Sequence, residues 1–247
     1  PMTDELVQYA LRDGVATIRI DDGKRNALSP EVLHGLYRAL DRAAADGATV
    51  ILTGREEVFS AGFDLKVMNR GGPKALNMLR LGYAFTARVM AYPHPVIVAC
   101  NGHCFAMGVF LMLSADYVIG SRGDFMISAN EVAIGMTMPR VAAATLRQRL
   151  TPAAYQRAVT LSEHFDVDAA LAAGFFDETV DPADLVECAE AHAAGFRELD
   201  PWAHRRSKRR IRRATIRSIR FALPLDLVDA VLTGIRRAAG AKRRIKP

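Results

Sequence analysis

The sequence predicts an α/β fold made of parallel strand–helix–strand crossovers followed by a helical C-terminal segment. Three observations predict it. Short β-branched runs alternate with longer stretches whose apolar residues recur at helical spacing, Gly and Pro punctuate the changes, and the composition breaks after about Ala194. The chain of 247 residues is 50% hydrophobic and 24% charged, a globular balance that excludes intrinsic disorder and fibrous repeats. Its longest apolar tract, residues 96–115, is broken by Asn101, Gly102, His103 and Ser114, short of the roughly 20 residues a membrane-spanning helix needs.

Residues 15–20 read as a strand, ended by the turn Asp21-Asp22-Gly23. Ser29-Pro30-Glu31 then opens a helix with a hydroxyl cap and a proline in its first turn, and Val32, Leu33, Leu36 and Leu40 supply an apolar face. Residues 48–53 form the next strand before Gly54, and this order implies a parallel crossover. At Phe59-Ser60-Ala61-Gly62-Phe63 small residues turn the chain, with Asp64 placed to cap the next segment. Gly71-Gly72-Pro73 is a loop, and residues 74–91 form a long helix on Leu76, Leu79, Tyr83, Val89 and Met90, stopped by Pro93 and Pro95. A buried strand over 95–99, a turn at Asn101-Gly102, an apolar helix over 107–115 and a strand over 116–119 come next. Helices over 139–150 and 152–162 carry proline in or near the first turn, and a third over 167–173 stops at Gly174. There is no internal repeat. Residues 1–194 are expected to form the core, and residues 195–247 a helical, Arg-rich segment too short to bury much core by itself.

Charge is lopsided. Residues 201–247 hold 15 Lys/Arg against Asp226 and Asp229, while the whole chain is only +6, so the first 200 residues are net acidic. The run from Arg205 to Arg220 contains nine cations and no acid. Apolar residues at Ile211, Ala214, Thr215, Ile219 and Ala222 make it an amphipathic helix whose cations occupy a solvated or oligomer-lining face. Binding of a small ligand's phosphates is a second reading, and nucleic acid a third and less expected one. Pro1-Met2-Thr3-Asp4-Glu5 shows early acids and no signal pattern, so a cytoplasmic location is expected. Cys100, Cys104 and Cys188 fit that compartment as reduced core thiols, with no disulfide scaffold, zinc ribbon or metal expected.

Two Gly-bearing turns are candidates for chemistry: Phe59-Ser60-Ala61-Gly62-Phe63-Asp64, and Asn101-Gly102-His103-Cys104-Phe105-Ala106-Met107-Gly108. The second precedes an apolar helix, so its last amides sit at a helix N-terminus. Amides from two such turns can converge on one carbonyl oxygen as an oxyanion hole, although spacing alone favours two ordinary tight turns.

The segments Val58-Phe59-Ser60-Ala61-Gly62-Phe63-Asp64-Leu65-Lys66, Pro95-Val96-Ile97-Val98-Ala99-Cys100-Asn101-Gly102 and Leu111-Met112-Leu113-Ser114-Ala115-Asp116 together resemble the enoyl-CoA hydratase/isomerase (crotonase) superfamily. Asn130-Glu131-Val132-Ala133-Ile134-Gly135-Met136 and the stretch from Ala169 to Glu178 agree with it, in the same order along the chain. The resemblance implies a crotonase-like spiral of ββα/βαβ units, a helical C-terminal oligomerisation segment giving a homotrimer or hexamer, and an acyl-CoA thioester as substrate with no separate cofactor. It implies oxyanion amides at Phe63 and Met107, where the family usually has smaller residues.

By the same resemblance the hydratases' first catalytic glutamate falls on Phe110, and the second on Glu131. Water addition uses two carboxylates, so one remaining carboxylate suits double-bond isomerisation better; the alternatives are an enoyl-CoA hydratase with an atypical site, or a non-catalytic relative that binds acyl-CoA or RNA. Burial of Glu131 among Met126, Ile127, Val132 and Phe110 is expected to raise its pKa toward neutrality. The plainer alternative for Glu131 is a loop carboxylate that caps a turn or pairs with Arg140 or Arg147. Phe110 and His103 are expected at the acyl pocket, His103 alternatively as a satisfied near-core histidine. Lys24, Arg25, Ala61, Asp64 and Lys66 are expected at the CoA end, with the cations otherwise surface charge and Asp64 otherwise a cap.

Overall fold

In the computed structural model, which describes residues 6–244, the chain enters as an antiparallel hairpin, β1 (Val7–Arg12) and β2 (Val15–Ile20). Its turn is Asp13-Gly14, with φ of 48° and 70°, the left-handed pair a two-residue hairpin favours. The order continues β3 (Ala27–Leu28), α1 (Pro30–Ala45), β4 (Thr49–Thr53), β5 (Glu57–Ser60), β6 (Gly62–Phe63), α2 (Leu65–Arg70), α3 (Gly72–Met90), β7 (Val96–Cys100), β8 (Gly102–Phe105) and α4 (Met107–Met112). After these come β9 (Tyr117–Ser121), β10 (Ile127–Ser128), α5 (Arg140–Arg147), α6 (Pro152–Leu161), α7 (Val167–Ala173), β11 (Glu178–Val180), α8 (Leu185–Arg197) and the long α9 (Pro201–Arg244). Among the described residues no helix is long and apolar enough to cross a membrane.

Beyond the hairpin, strands join the main sheet in parallel, giving the order β1-β2-β4-β7-β9-β11. Between these strands the chain departs into smaller sheets, where β5, β8 and β10 form a parallel three-stranded unit and β3 pairs with β6. Both faces of the main sheet are covered, which explains why its strands read as unbroken apolar runs. Val50, Leu52, Val96, Val98 and Val118 face the large core, while Ile51, Ile97, Ala99 and Ile119 alternate to the other face against Leu185, Ala189 and Ala193 of α8.

The expected turn at Asn101-Gly102 is instead the entry to β8. A Cβ on Gly102 would lie 1.9 Å from the carbonyl carbon of Glu57, so the residue is glycine because β8 presses directly on β5. Asn101 reinforces the junction: its Oδ1 accepts from the Gly54 N–H at 3.1 Å, and its amide donates to the Arg55 carbonyl.

The basic C-terminal run departs from a simple solvated face. Ile211 points outward, 78% exposed, while Lys208 and Arg212 are buried with Ile216, Ile219 and Ala222. The reason is a carboxylate and a helix end beneath them. Asp116 accepts from Lys208 Nζ (2.5 Å) and pairs with Arg212 (3.1 Å), and Arg212 also donates to the Ser114 and Ala115 carbonyls just beyond α4. Burial pulls the Lys208 ammonium down to about 8 against the opposing pull of Asp116. Further along, α9 lies against α3 and α5. There Asp226 accepts from the N–H groups of Arg140 (3.0 Å) and Val141 (2.9 Å), capping α5, whose own N-cap residue Pro139 has no side chain able to do so.

Candidate active site

Two tight turns meet close to α3. In the first, Ser60 Oγ donates to the Asn26 carbonyl (2.8 Å) and accepts from the Gly62 N–H (3.2 Å), fixing the link from β5 to β6. Gly62 has φ +86°, and a Cβ there would lie 2.9 Å from the Ala106 Cβ and 3.3 Å from the Met107 nitrogen. Glycine therefore serves both the left-handed backbone and the close approach of the second turn. Ala106, immediately before α4, is itself held at φ 49°, a conformation that costs a non-glycine residue on the order of 1 kcal/mol. It orients the start of α4, where the Met107 N–H has no intrahelical acceptor. Phe63 follows Gly62, and its ring sits edge-on to Tyr83 at 5.6 Å.

Glu131 lies just after β10 and is 5% exposed. Its carbonyl accepts from the Met136 N–H at 2.8 Å, tying back the loop that carries it, while its carboxylate Oε2 is buried with no hydrogen-bond partner among the described residues. Burial pushes the carboxyl up to about 7. Neither expected arginine neutralises it: Arg140 is held by Asp226 and Asp229, and Arg147 lies over the Tyr155 ring. Of the residues expected to bury it, Ile127 and Phe110 are buried, but Met126 and Val132 are 38% and 41% exposed. Tyr83, fully buried on α3, is a neighbour instead, and its hydroxyl is held far above the usual range by burial and by the charge of Glu131.

Tyr83 also borders a mainly apolar cavity of about 670 Å³, walled by Leu76 and Leu79 of α3, Met136 and Met138 of the loop after Glu131, and Val231 of α9. In the sequence Tyr83 is marked only as a helix-face residue, and nothing in local spacing marks the α9 wall. His103 and Phe110 do not line this cavity. Phe110 is buried inside α4, and His103 stacks on Phe105 while its Nδ1 accepts from the Met126 N–H at 3.1 Å. Neither residue therefore borders this cavity, and the contacts of His103 fit its alternative reading as a satisfied near-core histidine.

The residues expected at the CoA end are partly gathered. Lys24 and Arg25 are exposed, and the Arg25 carbonyl accepts from the Ala61 N–H at 3.0 Å, placing that loop against the first turn. Lys66 is exposed in the first turn of α2. Asp64 is committed elsewhere: its carboxylate caps α2 by accepting from the N–H groups of Lys66 (2.7 Å) and Val67 (3.3 Å).

A layered spiral of parallel units, with two backbone turns in contact and a buried carboxylate, defines the crotonase-like class. The family model described as enoyl-CoA hydratase/isomerase matches residues 10–220, and the chain belongs to that family. Solved structures agree. An enoyl-CoA hydratase/isomerase family protein from Pseudomonas syringae is 42% identical, with TM-score 0.89, covering 91% of this chain and 97% of that one. The enoyl-CoA hydratase EchA3 from Mycobacterium ulcerans is 41% identical, with TM-score 0.88 and coverage of 91% and 99%. An Mtb enoyl-CoA isomerase in its apo form is 40% identical, with TM-score 0.88 and coverage of 92% and 99%.

Proposed function

We propose that this enzyme shifts the double bond of an enoyl-CoA from the 3,4 to the 2,3 position, using Glu131 as its single proton carrier. The observation that carries the reading is the buried Glu131 carboxylate, with one oxygen unpartnered among the described residues and its pKa raised to about 7. Such a group can act as base and then as acid near neutral pH. Phe110 supports the choice, because a phenyl ring cannot supply the second proton-transferring group that water addition uses.

In this reading the thioester oxygen accepts hydrogen bonds from the Phe63 and Met107 N–H groups. Glu131 takes a proton from C2, and the electron pair delocalises through the thioester into a dienolate whose oxygen the two amides stabilise, each such donor being worth about 3–4 kcal/mol. The carboxylic acid so formed returns its proton at C4, the double bond settles between C2 and C3, and Glu131 is again ionised. The acyl chain occupies the cavity between α3 and α9. Lys24, Arg25 and Lys66 meet the phosphates of CoA; Ala61, whose N–H is already given to Arg25, offers its carbonyl, and Asp64 serves as the α2 cap.

The test is conversion of a 3-enoyl-CoA to the 2-enoyl ester by the wild type and its loss in Glu131→Gln with CoA-ester binding retained; turnover retained by that variant overturns the assignment. The same chain is proposed to assemble as a homotrimer or hexamer through α9, where Phe221, Leu225, Val228 and Leu232 form one exposed apolar stripe. Phe221→Asp with Leu225→Asp is expected to lower the mass measured by light scattering, and an unchanged mass contradicts that face.

A further inference from the structure

Outside the acyl site, one cluster of side chains is unexplained by the reaction. Cys188 and His192 are four residues apart on α8 and so share one face of the helix. Glu178 opens β11 at the edge of the main sheet and reaches that face. Its Oε1 accepts from His192 Nε2 at 2.5 Å and from Cys188 Sγ at 3.4 Å, and one ligand atom from each of the three side chains lies within 4.8 Å of the other two. Cys188 is thus no core thiol; it is half-buried, unlike Cys100 and Cys104. The imidazole is flanked by the rings of Tyr117 and Phe196, at 4.6 Å and 5.7 Å, and burial together with the charge of Glu178 raises the pKa of the Tyr117 hydroxyl. Asp177 and Asp184 add negative charge around the cluster.

We infer that Glu178, Cys188 and His192 bind a zinc ion, on the α8 side of the main sheet. A thiolate, an imidazole nitrogen and a carboxylate oxygen are the donors zinc takes, at about 2.0–2.3 Å each, and the thiolate disfavours magnesium and calcium. Three atoms this close need only small side-chain rotations to surround one ion. Binding releases the Cys188 thiol proton to solvent and takes the place of the proton between His192 Nε2 and Glu178, which also leaves to solvent while Nδ1 keeps or takes one, with no change of oxidation state. Cys188 and His192 border an open depression with Ala191, Gly195 and Phe196, which gives an ion and a water access to the cluster. Ile51, Ile97 and Ile119, packed under α8, belong to a core separate from the one that surrounds the two turns, so the ion fastens β11 to α8 and takes no part in the isomerisation.

Cobalt(II) is the probe. The full chain, freed of metal by a chelator, is expected to bind one equivalent with a thiolate-to-cobalt charge-transfer absorption and tetrahedral visible bands, both removed when zinc displaces the cobalt. Cys188→Ser abolishes the charge-transfer absorption, and His192→Gln weakens binding by at least about tenfold. Retained enoyl-CoA turnover in both variants shows that they are folded. No charge-transfer absorption in the wild type, its persistence in Cys188→Ser, or unchanged affinity in His192→Gln overturns the site.

Discussion

Glu131→Gln is expected to stabilise the protein above neutral pH even as it stops turnover. Burial raises this carboxyl from 4.5 to about 7, so between those values the folded chain keeps a proton that the unfolded chain has released. The folded state binds more protons in that window, and the stability of the wild type therefore falls as pH climbs through it and stays reduced above it. At about 1.4 kcal/mol per pKa unit, the penalty reaches roughly 3 kcal/mol by pH 8. Glutamine cannot ionise and escapes the penalty. The gap between variant and wild type should open from a small constant near pH 4 to about 3 kcal/mol at pH 8, or roughly 6–12 °C in Tm for a chain of this size. Parallel thermal and urea unfolding of the two proteins across that range measures it. A gap independent of pH, or one that narrows as pH rises, would refute the buried base.

Two pairs of substitutions test how α9 and the first turn are held. Asp116→Asn leaves the buried Lys208 and Arg212 without their counter-charge, and is expected to cost about 3 kcal/mol in urea unfolding; by contrast Arg213→Ala, at an exposed position, should stay within about 0.5 kcal/mol. Equal effects would contradict the division of the basic run into buried and exposed faces. Gly82→Ala builds a Cβ 2.5 Å from the Phe63 ring, forcing the ring to move at a cost of about 1–3 kcal/mol. In a Phe63→Ala background the same Gly82→Ala change should cost little, and an equal cost in both backgrounds would show that the two residues do not press on each other.

The parts of the fold legible in the sequence have local causes. The helix over 167–173 is found at those bounds because Asp166 caps it and Gly174, at φ +95°, ends it. The β1–β2 hairpin also has its local signal in Asp13-Gly14, yet apolar patterning marks only its second strand, since most of β1 is exposed. By contrast, β5, β8 and β10 are strands of two to four residues whose pairing partners lie far along the chain, and Asn101-Gly102 carries a turn signature while Gly102 serves close packing. Lys208 reads as surface charge because its partner Asp116 is 92 residues away. Within the candidate site, Glu131 is visible through resemblance to the family. Tyr83 and the α9 wall of the cavity are not, since both depend on how α3 and α9 pack. Likewise the spacing of Cys188 and His192 is present in the sequence, and only the fold brings Glu178 to them.

The most direct test of the central claim is to supply a 3-enoyl-CoA in deuterated water and measure both the products and the label at C2 and C4. The wild type should form the 2-enoyl ester, with its kcat/KM rising as Glu131 ionises around pH 7. Glu131→Gln should bind the ester and neither exchange nor isomerise it. A 3-hydroxyacyl-CoA as the main product, or isomerisation that survives Glu131→Gln, would contradict the single-carboxylate account.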